Sequence, residues 1–219
     1  MPTVAILPIK RFDAAKQRLL PGVSAGQRRL LVEAMLSDVL VALRRAAMLD
    51  ATVAVTSDND AQRIAGAYGA LPISDDGGGH NGAALRGIRY ALERGFERAL
   101  LVPGDTPVLD PAEVDALLER RVRAKSALVV PDRHRTGTNA LLLSPPDSLP
   151  PSFGPGSCQR HLDHAAATGV HCELTEVPTL ALDVDTPQDL DQLRAKLAGI
   201  RGRAAHTRGI LGSFSERAR

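Results

Sequence analysis

The stretch RALLVPGDTPVL, residues 98–109, decides the fold of this chain. Its first half is a continuous apolar run, which is typical of a strand that is buried on both faces of a parallel sheet. A Pro-Gly turn then places Asp105 directly beyond the strand. A carboxylate at that position either completes a simple turn or holds a hard divalent cation through its oxygens. The stretch therefore predicts a central strand and marks its carboxyl end as a candidate site.

Strands and helices alternate on both sides of this stretch. The apolar runs at 3–9 and 51–57 predict strands, and apolar residues at helical spacing predict a long helix over 24–49. Such alternation with short connections predicts an α/β sheet that is covered on both faces. The other predicted elements are helices at 58–68, 82–94, 157–168 and 187–198, a helix that starts at Asp110, and strands at 71–74, 98–105, 126–131, 139–143, 171–176 and 180–184.

The composition is that of an ordinary globular protein of 219 residues, with 44% hydrophobic and 24% charged residues. A net charge of +2 and an aromatic content of 3% argue against a nucleic-acid partner. Cys158 and Cys172 lack metal-ligand spacing, which favours a reduced, cytoplasmic protein. No apolar run approaches 18 residues, so we expect no membrane partner.

We divide the chain into one domain at residues 1–198 and a basic tail at 199–219. The tail contains five Arg and one Glu and has few large apolar residues. A terminal segment with so little core material is expected to be mobile.

A cluster of positive charge follows the first predicted strand. Lys10, Lys16 and Arg18 come within ten residues of the strand's end at Pro8. Because ligands of α/β sheets bind at the carboxyl ends of the strands, these cations point to a function. They either form a solvated basic loop or hold the phosphates of a nucleoside triphosphate, whose charge must be offset during phosphoryl transfer.

The stretch DDGGGHNGAAL, residues 75–85, is the most glycine-dense part of the chain. Glycines let backbone amides approach a ligand closely, so the stretch is a candidate nucleotide-binding loop. Its G-x-G-x-x-G spacing also permits a dinucleotide-binding interpretation, although the strand before it is weak. A plain surface turn is the third alternative. The candidate ligand-binding residues here are Gly77, Gly78, Gly79, Asn81 and Gly82.

Two further carboxylates come late in the chain, in LALDVDTPQDL at 180–190. Capping of the following helix explains Thr186 and Asp189 but leaves Asp183 and Asp185 without a role. They are either solvated loop charges, the D-x-D motif of a glycosyltransferase, or partners of Asp105 in a metal site. The last interpretation predicts one or two Mg²⁺ ions, with Mn²⁺ as a substitute.

Six stretches carry these features in a fixed order. They are LPIKRFDAAKQRL (7–19), DDGGGHNGAAL (75–85), VPGDTPVL (102–109), RTGTNALLL (135–143), FGPGSCQRHLDHA (153–165) and DVDTPQDL (183–190). In this order they resemble the motifs of the 2-phospho-L-lactate / phosphoenolpyruvate guanylyltransferases, enzymes of coenzyme F-420 biosynthesis. The resemblance spans residues 4–197, and it departs from the family at His80, where an apolar residue is expected.

The resemblance implies a single-domain, Rossmann-like nucleotidyltransferase of GT-A type with a mostly parallel central sheet. It implies transfer of GMP from GTP to phosphoenolpyruvate or 2-phospho-L-lactate, with pyrophosphate as the other product. By motif, it implies triphosphate contacts by Lys10, Lys16 and Arg18 and nucleotide contacts by the glycine stretch with Asn81. It implies metal binding by Asp105, Asp183 and Asp185. It implies binding of the acceptor by Thr138, Gly154 and Ser157.

The acceptor assignment also has a physical basis, because helix N-termini bind anions through free amides. Ser157 begins a predicted helix, and Arg160 and His161 lie in its first turn; the alternative is that Ser157 only caps this helix. Two other functions stay open, namely a nucleotidyltransferase of another acceptor (molybdenum-cofactor type or sugar phosphate) and a non-catalytic nucleotide-binding module. A homodimer, and handover of the product to the next transferase of the pathway, are further expectations about partners.

Overall fold

One seven-stranded sheet organises the chain, in a computed structural model that describes residues 1–13, 15–19, 23–75, 77–120 and 124–216. Its strands are β1 (Thr3–Pro8), β2 (Ala51–Val55), β3 (Leu71–Ile73), β4 (Arg98–Leu101), β5 (Ser126–Pro131), β6 (Thr138–Ser144) and β7 (His171–Leu174). Their order in the sheet is β3-β2-β1-β4-β6-β5-β7. Only β6 runs antiparallel to its neighbours, β4 and β5, among the described strands. The predicted α/β fold with a mostly parallel sheet is confirmed.

Seven α-helices flank the described part of the sheet. They are α1 (Ala25–Arg45), α2 (Asn59–Ala67), α3 (Gly79–Glu93), α4 (Pro111–Glu119), α5 (Ser157–Thr168), α6 (Pro187–Gly199) and α7 (Ala205–Glu216), and a short 3-10 helix covers Gln17–Leu19. Helix α6 begins as its sequence predicts, with Thr186 as cap, Pro187 first and Asp189 closing a capping box. None of the helices in the described ranges has the length and apolarity needed to cross a membrane.

The sheet is buried between two apolar layers. Every residue of β1 is buried, and alternate side chains enter different layers: Val4 and Ile6 join one, and Ala5 and Leu7 join the other. This explains why the central strands are continuously apolar. Helix α3 packs so closely on β1 that a Cβ at Gly87 would lie 2.3 Å from the Ile6 Cγ2 atom.

Two predicted elements differ from the structure. Helix α3 begins at Gly79, three residues before the predicted start, so part of the glycine stretch is helical. The strand predicted at 180–184 is absent from the sheet. Leu180, Leu182 and Val184 are buried in the same layer as α1, which explains their apolar alternation without any strand pairing.

Part of the predicted tail has regular structure, because residues 205–216 form α7 and pack against α1. Thr207 is fully buried and Leu211 nearly so. The carboxylate of Asp38 on α1 accepts the backbone N–H groups of His206 at 3.1 Å and Thr207 at 2.8 Å. The packed part of the chain therefore continues past residue 198. Residues 217–219 of the predicted tail lie outside the described residues.

Candidate active site

The basic segment after β1 borders a cavity of about 610 Å³ at the carboxyl ends of the central strands. Lys10, Lys16 and Arg18 all line this cavity. Asp58 shapes the segment, because its Oδ2 accepts the Phe12 N–H at 2.9 Å while its Oδ1 caps the start of α2. Since Phe12 is fully buried, the segment is anchored between its first and second lysines.

Lys16 brings together two carboxylates that are remote in sequence. Its Nζ donates to Asp105, 89 residues away, and to Asp185 Oδ1 at 2.6 Å, 169 residues away. Burial opposes the charge of Lys16, but the two carboxylates outweigh burial and raise its pKa. Lys16 also has a φ of 56°, in the left-handed region that few residues with a side chain adopt. A charged lysine held in such a conformation is typical of a functional site.

Asp183 completes an acidic cluster that fits a divalent cation. Burial, and then the charges of Asp105 and Asp185, raise the pKa of Asp183. The Asn139 side-chain amide donates to Asp183 Oδ1 at 3.3 Å. Asp105 Oδ1 is buried, and it has no hydrogen-bond partner among the residues that the structure describes. Because such an oxygen is costly to bury unpaired and carboxylates are preferred Mg²⁺ ligands, the donor set suits a hard cation.

The cluster is not a ready-made metal site. Across the described residues, no three His, Cys, Asp or Glu side chains converge closely enough to hold an ion as they stand. The Lys16 ammonium lies between Asp105 and Asp185. A cation bound by these carboxylates would therefore require Lys16 to turn away from them. The predicted metal roles of Asp105, Asp183 and Asp185 stay predictions.

The glycine stretch contributes to the site through its contacts with the FGPGS segment, residues 153–157. The Asn81 side-chain amide donates to the Phe153 carbonyl at 3.2 Å, and its oxygen accepts the Phe153 N–H at 2.7 Å. Both ends of this side chain thus bind backbone, a role that the sequence did not reveal. The predicted nucleotide contacts of Gly77, Gly78, Gly79, Asn81 and Gly82 stay predictions.

His80 is the residue of this stretch that lines the cavity. Its ring packs edge-on against Phe153, with the ring centroids 5.1 Å apart. Burial and the charge of Lys10 lower the pKa of His80, which favours the neutral form of the ring. A neutral aromatic ring can take the place of the apolar residue that the family resemblance implies here.

Thr138, Gly154 and Ser157, the predicted acceptor-binding residues, all line the cavity. Ser157 Oγ accepts the Thr138 N–H at 2.8 Å, which joins the start of β6 to the start of α5. Gly154 has a φ of 117° and Gly156 a φ of 72°. Glycine adopts such angles without strain, and this allows the chain to turn into α5 beside the cavity.

The first amides of α5 already have partners inside the protein. The Ser157 N–H donates to the Gly154 carbonyl at 3.0 Å, and the Cys158 N–H donates to the Thr136 carbonyl at 3.2 Å. The expectation that these amides are free to bind an anion is therefore wrong for both residues. Arg160 likewise binds the Ser152 hydroxyl and carbonyl and the Pro155 carbonyl. The hydroxyls of Thr138 and Ser157 are thus the stronger candidates for ligand contacts.

The cavity lining also includes residues that sequence analysis did not select. Phe153 and Asn139 line the cavity and lie within stretches that carry the family resemblance. Their membership of these motifs is the sequence feature that could have identified them. Asp132 accepts the Thr136 and Gly137 N–H groups, both at 2.9 Å, and closes the turn before β6. A Cβ at Gly137 would lie 2.7 Å from Asp132 Oδ2, which explains the glycine.

Comparisons with known proteins identify the family of the chain. A family model described as "Guanylyl transferase CofC like" matches residues 3–213. A phosphoenolpyruvate guanylyltransferase from Conexibacter woesei is 53% identical over 96% of each chain. A 2-phospho-L-lactate guanylyltransferase from Methanothermobacter thermautotrophicus is 32% identical over 96% of this chain and 90% of the relative. A 3-phospho-D-glycerate guanylyltransferase from Colwellia psychrerythraea is 33% identical over 88% of this chain and 91% of the relative.

A solved structure shows the same fold. It comes from Desulfovibrio desulfuricans G20 and is of a protein assigned to the nucleotide-diphospho-sugar transferases. It superimposes with a TM-score of 0.77 at 18% identity, over 99% of this chain and 96% of that chain. At this identity the similarity shows a shared fold and nothing about activity.

Proposed function

Because the chain belongs to the family of CofC-like guanylyl transferases, we propose that it transfers GMP from GTP to the phosphate of a phosphorylated three-carbon acid. We favour phosphoenolpyruvate as the acceptor, since the C. woesei relative at 53% identity is named for it. 2-Phospho-L-lactate and 3-phospho-D-glycerate, named in relatives at 32% and 33% identity, are the alternatives. The product would enter coenzyme F-420 biosynthesis, as the family resemblance implies.

One observation carries this proposal. Lys16, Asp105 and Asp185 border the same cavity as Thr138 and Ser157. The first group has the charges that a triphosphate and a cation require, and the second has hydroxyls that suit a small acid. A single cavity of about 610 Å³ with both kinds of group is within the size range of small-molecule sites.

The proposed reaction is an in-line displacement. An oxygen of the acceptor phosphate attacks the α-phosphorus of GTP, the bond from that phosphorus to the β-bridging oxygen breaks, and pyrophosphate leaves with the electron pair. The second pKa of a phosphate monoester is about 6, so the attacking oxygen is already ionised near neutral pH. The protein therefore needs no general base, and its task is to position the two anions and offset their charge.

The basic segment and the acidic cluster divide this task. Lys10 and Arg18 would bind the triphosphate, and Lys16 would join them when it leaves the carboxylates. Asp105, Asp183 and Asp185 would hold one or two Mg²⁺ ions, or Mn²⁺. When bound, such an ion neutralises charge on the transferring phosphoryl group.

Replacement of Asp105 tests the metal role. Asp105→Asn preserves the shape of the side chain but removes its charge. We expect turnover to fall by roughly 10²–10³-fold, because metal contacts supply several kcal/mol of transition-state stabilisation. Turnover is measured as pyrophosphate release at increasing Mg²⁺ concentration. Asp191→Asn, an exposed change on α6 beside Arg194, is the matched control and should leave the rate unchanged. A wild-type rate and Mg²⁺ dependence in Asp105→Asn would refute the metal role.

The function itself is tested by incubating the purified protein with each of the four nucleoside triphosphates, Mg²⁺ and each phosphorylated acid. We expect pyrophosphate release with GTP and phosphoenolpyruvate, and none after chelation of the metal. Release only with a molybdenum-cofactor precursor or a sugar phosphate would identify a different acceptor. Binding of GTP without release under any of these conditions would identify a non-catalytic nucleotide-binding module and overturn the proposal.

A further inference from the structure

His161 is a buried histidine behind the acceptor side of the cavity. Its ring is fully buried and lies between β6 and the segment that precedes α5. The Nδ1 atom is 2.9 Å from Thr138 Oγ1, and the Nε2 atom accepts the backbone N–H of Ser152 at 2.9 Å. The ring also packs edge-on against Phe153, with centroids 5.5 Å apart. It thus joins three parts of the site through one side chain.

The contact with Ser152 fixes the protonation of the ring. A backbone N–H can only donate, so Nε2 has to be the acceptor and carries no proton. A neutral imidazole then carries its single proton on Nδ1. Protonation of Nε2 would place two donors against each other inside the protein. Burial, and then the charge of Arg160, lower the pKa of His161 to about 4, so the neutral ring persists at ordinary pH.

The direction of the hydrogen bond to Thr138 follows from this tautomer. Nδ1–H donates, so Thr138 Oγ1 accepts, and the hydroxyl proton of Thr138 is not used by the histidine. The hydroxyl proton of Ser157 is also unused in its contact with Thr138, because Ser157 Oγ accepts the Thr138 N–H. Within the described residues, neither hydroxyl donates to another group of the protein. Both hydroxyl protons are therefore available to a ligand in the cavity that both residues line.

We propose that His161 is a positioning residue that fixes the Thr138 hydroxyl as a hydrogen-bond donor toward the acceptor substrate. Thr138 and Ser157 then form a pair of neutral donors for an anionic oxygen of the phosphorylated acid. The identity of that acid rests on the proposed function, whereas the hydrogen-bond direction rests on the contacts of His161 alone. Because the ring also accepts the Ser152 N–H, it holds the Thr138 hydroxyl in a fixed position relative to the backbone just before the FGPGS segment.

Two substitutions separate the two contacts of the ring. His161→Gln can place an amide near the Nε2 position. There its oxygen still accepts the Ser152 N–H, but the hydrogen bond to the Thr138 hydroxyl is lost. His161→Asn places an amide near Nδ1 and retains the donor to Thr138. We expect the KM for the acceptor to rise by roughly fivefold to tenfold in His161→Gln and by less in His161→Asn, since one well-placed hydrogen bond is lost in the first. The KM for GTP should stay unchanged in both.

A double-mutant comparison shows whether His161 acts through Thr138. In a Thr138→Val background, His161→Gln should change the acceptor KM by less than about twofold, because the two residues act as one unit. Additive effects, or equal changes in the KM values for GTP and the acceptor, would overturn the proposal. His164→Asn, an exposed change on the same helix, controls for general effects on α5.

The ¹⁵N chemical shifts of the wild-type ring provide a readout without turnover. We expect the two His161 nitrogens to show a protonated Nδ1 and an unprotonated Nε2 between pH 6 and 8. A protonated Nε2 would overturn the inference even if every variant failed to fold. Because this measurement needs no substrate, it distinguishes failure of the inference from failure of the proposed function.

Discussion

At the scale of single residues, His161 makes the stability of the fold depend on pH. Its pKa is about 4 in the folded protein and about 6.5 in the unfolded chain. Between these values the unfolded chain binds a proton that the folded protein does not, so stability falls as pH falls through this window. At about 1.4 kcal/mol per pH unit, the loss attributable to His161 approaches about 3 kcal/mol at pH 4.

Urea unfolding of the wild type and of His161→Gln between pH 4.5 and 7.5 measures this loss. The variant cannot titrate at this position, so the gap in unfolding free energy between the two proteins should narrow as pH falls. Carboxylates that titrate in the same range affect both proteins equally and cancel in the difference. Parallel curves across the whole range would contradict the expected burial of a neutral ring.

The residue types of the site could be predicted, but several of their partners could not. Lys16 and Asp105 come after β1 and β4, and the rule that such strand ends share one edge of a sheet brings them together. Asp185 instead reaches the site from the 180–184 segment, which lies outside the sheet. The roles of Asn81 and His161 depend on which backbone atoms of Ser152 and Phe153 lie beside them. That depends on the path of the FGPGS segment, which no periodicity in the sequence describes.

At the scale of elements, the turn into α5 depends on glycines in the left-handed region. Gly156 has a φ of 72°, and a Cβ there would lie 3.4 Å from an Arg160 nitrogen. We expect Gly156→Ala to reduce the free energy of unfolding by about 1–2 kcal/mol, the cost of this conformation for a residue with a Cβ. Gly66→Ala in α2 is the matched control, because a Cβ added there meets no neighbour within 4 Å among the described residues, the nearby backbone of α2 aside.

The control should stabilise the protein by about 0.5–1 kcal/mol, since alanine is the better helix former. Thermal unfolding of both variants measures the two effects, and the acceptor KM of Gly156→Ala reports whether the turn also positions the site. Equal stability of Gly156→Ala and the wild type would show that this turn can adopt another conformation.

Elements with strong periodicity were predictable, and elements defined by tertiary contacts were not. The predicted helix at 157–168 is α5 itself, and glycines in the left-handed region, Gly156 and Gly169, flank it at both ends. The segment 180–184 alternates like a strand but stays outside the sheet. Its backbone is held by the Asn139 amide, 2.7 Å from the Leu180 carbonyl, and by the Arg133 N–H, 3.2 Å from the Ala181 carbonyl.

At the scale of the whole molecule, Asp38 attaches α7 to the rest of the fold. Its carboxylate is almost fully buried and accepts the first amides of α7 as well as the His206 ring at 2.9 Å. Asp38→Ala should reduce the free energy of unfolding by about 2–3 kcal/mol, because hydrogen bonds to a charged group are lost and buried amides are left unpaired. Asp163→Ala, an exposed change on α5, should have an effect within about 0.5 kcal/mol.

Chemical denaturation measures both variants, and hydrogen exchange of the α7 amides localises the change. Faster exchange confined to α7 and the facing side of α1 is expected for Asp38→Ala. A wild-type stability in this variant would mean that the apolar contacts of α7 suffice to hold it in place.

The sheet class followed from the alternation of elements, but the order of its strands did not. The chain forms β4, β5 and β6 in that order, but in the sheet the antiparallel β6 lies between β4 and β5. Two strands that are consecutive in the chain are therefore not neighbours in the sheet. Such pairing depends on contacts between distant segments, which a local pattern does not contain. The packing of α7 was missed for the same reason, because its small residues form no strong apolar pattern but fit against α1.

The contact between α1 and α7 also has a consequence for biosynthesis. His206 is the 168th residue that a ribosome adds after Asp38. At 5–20 residues per second, this takes roughly ten to thirty seconds. During that interval α7 is not yet available to cover α1, and the Asp38 carboxylate lacks the amide donors that it has in the folded protein. The rate at which residues 39–206 are synthesised therefore sets how long α1 lacks this contact.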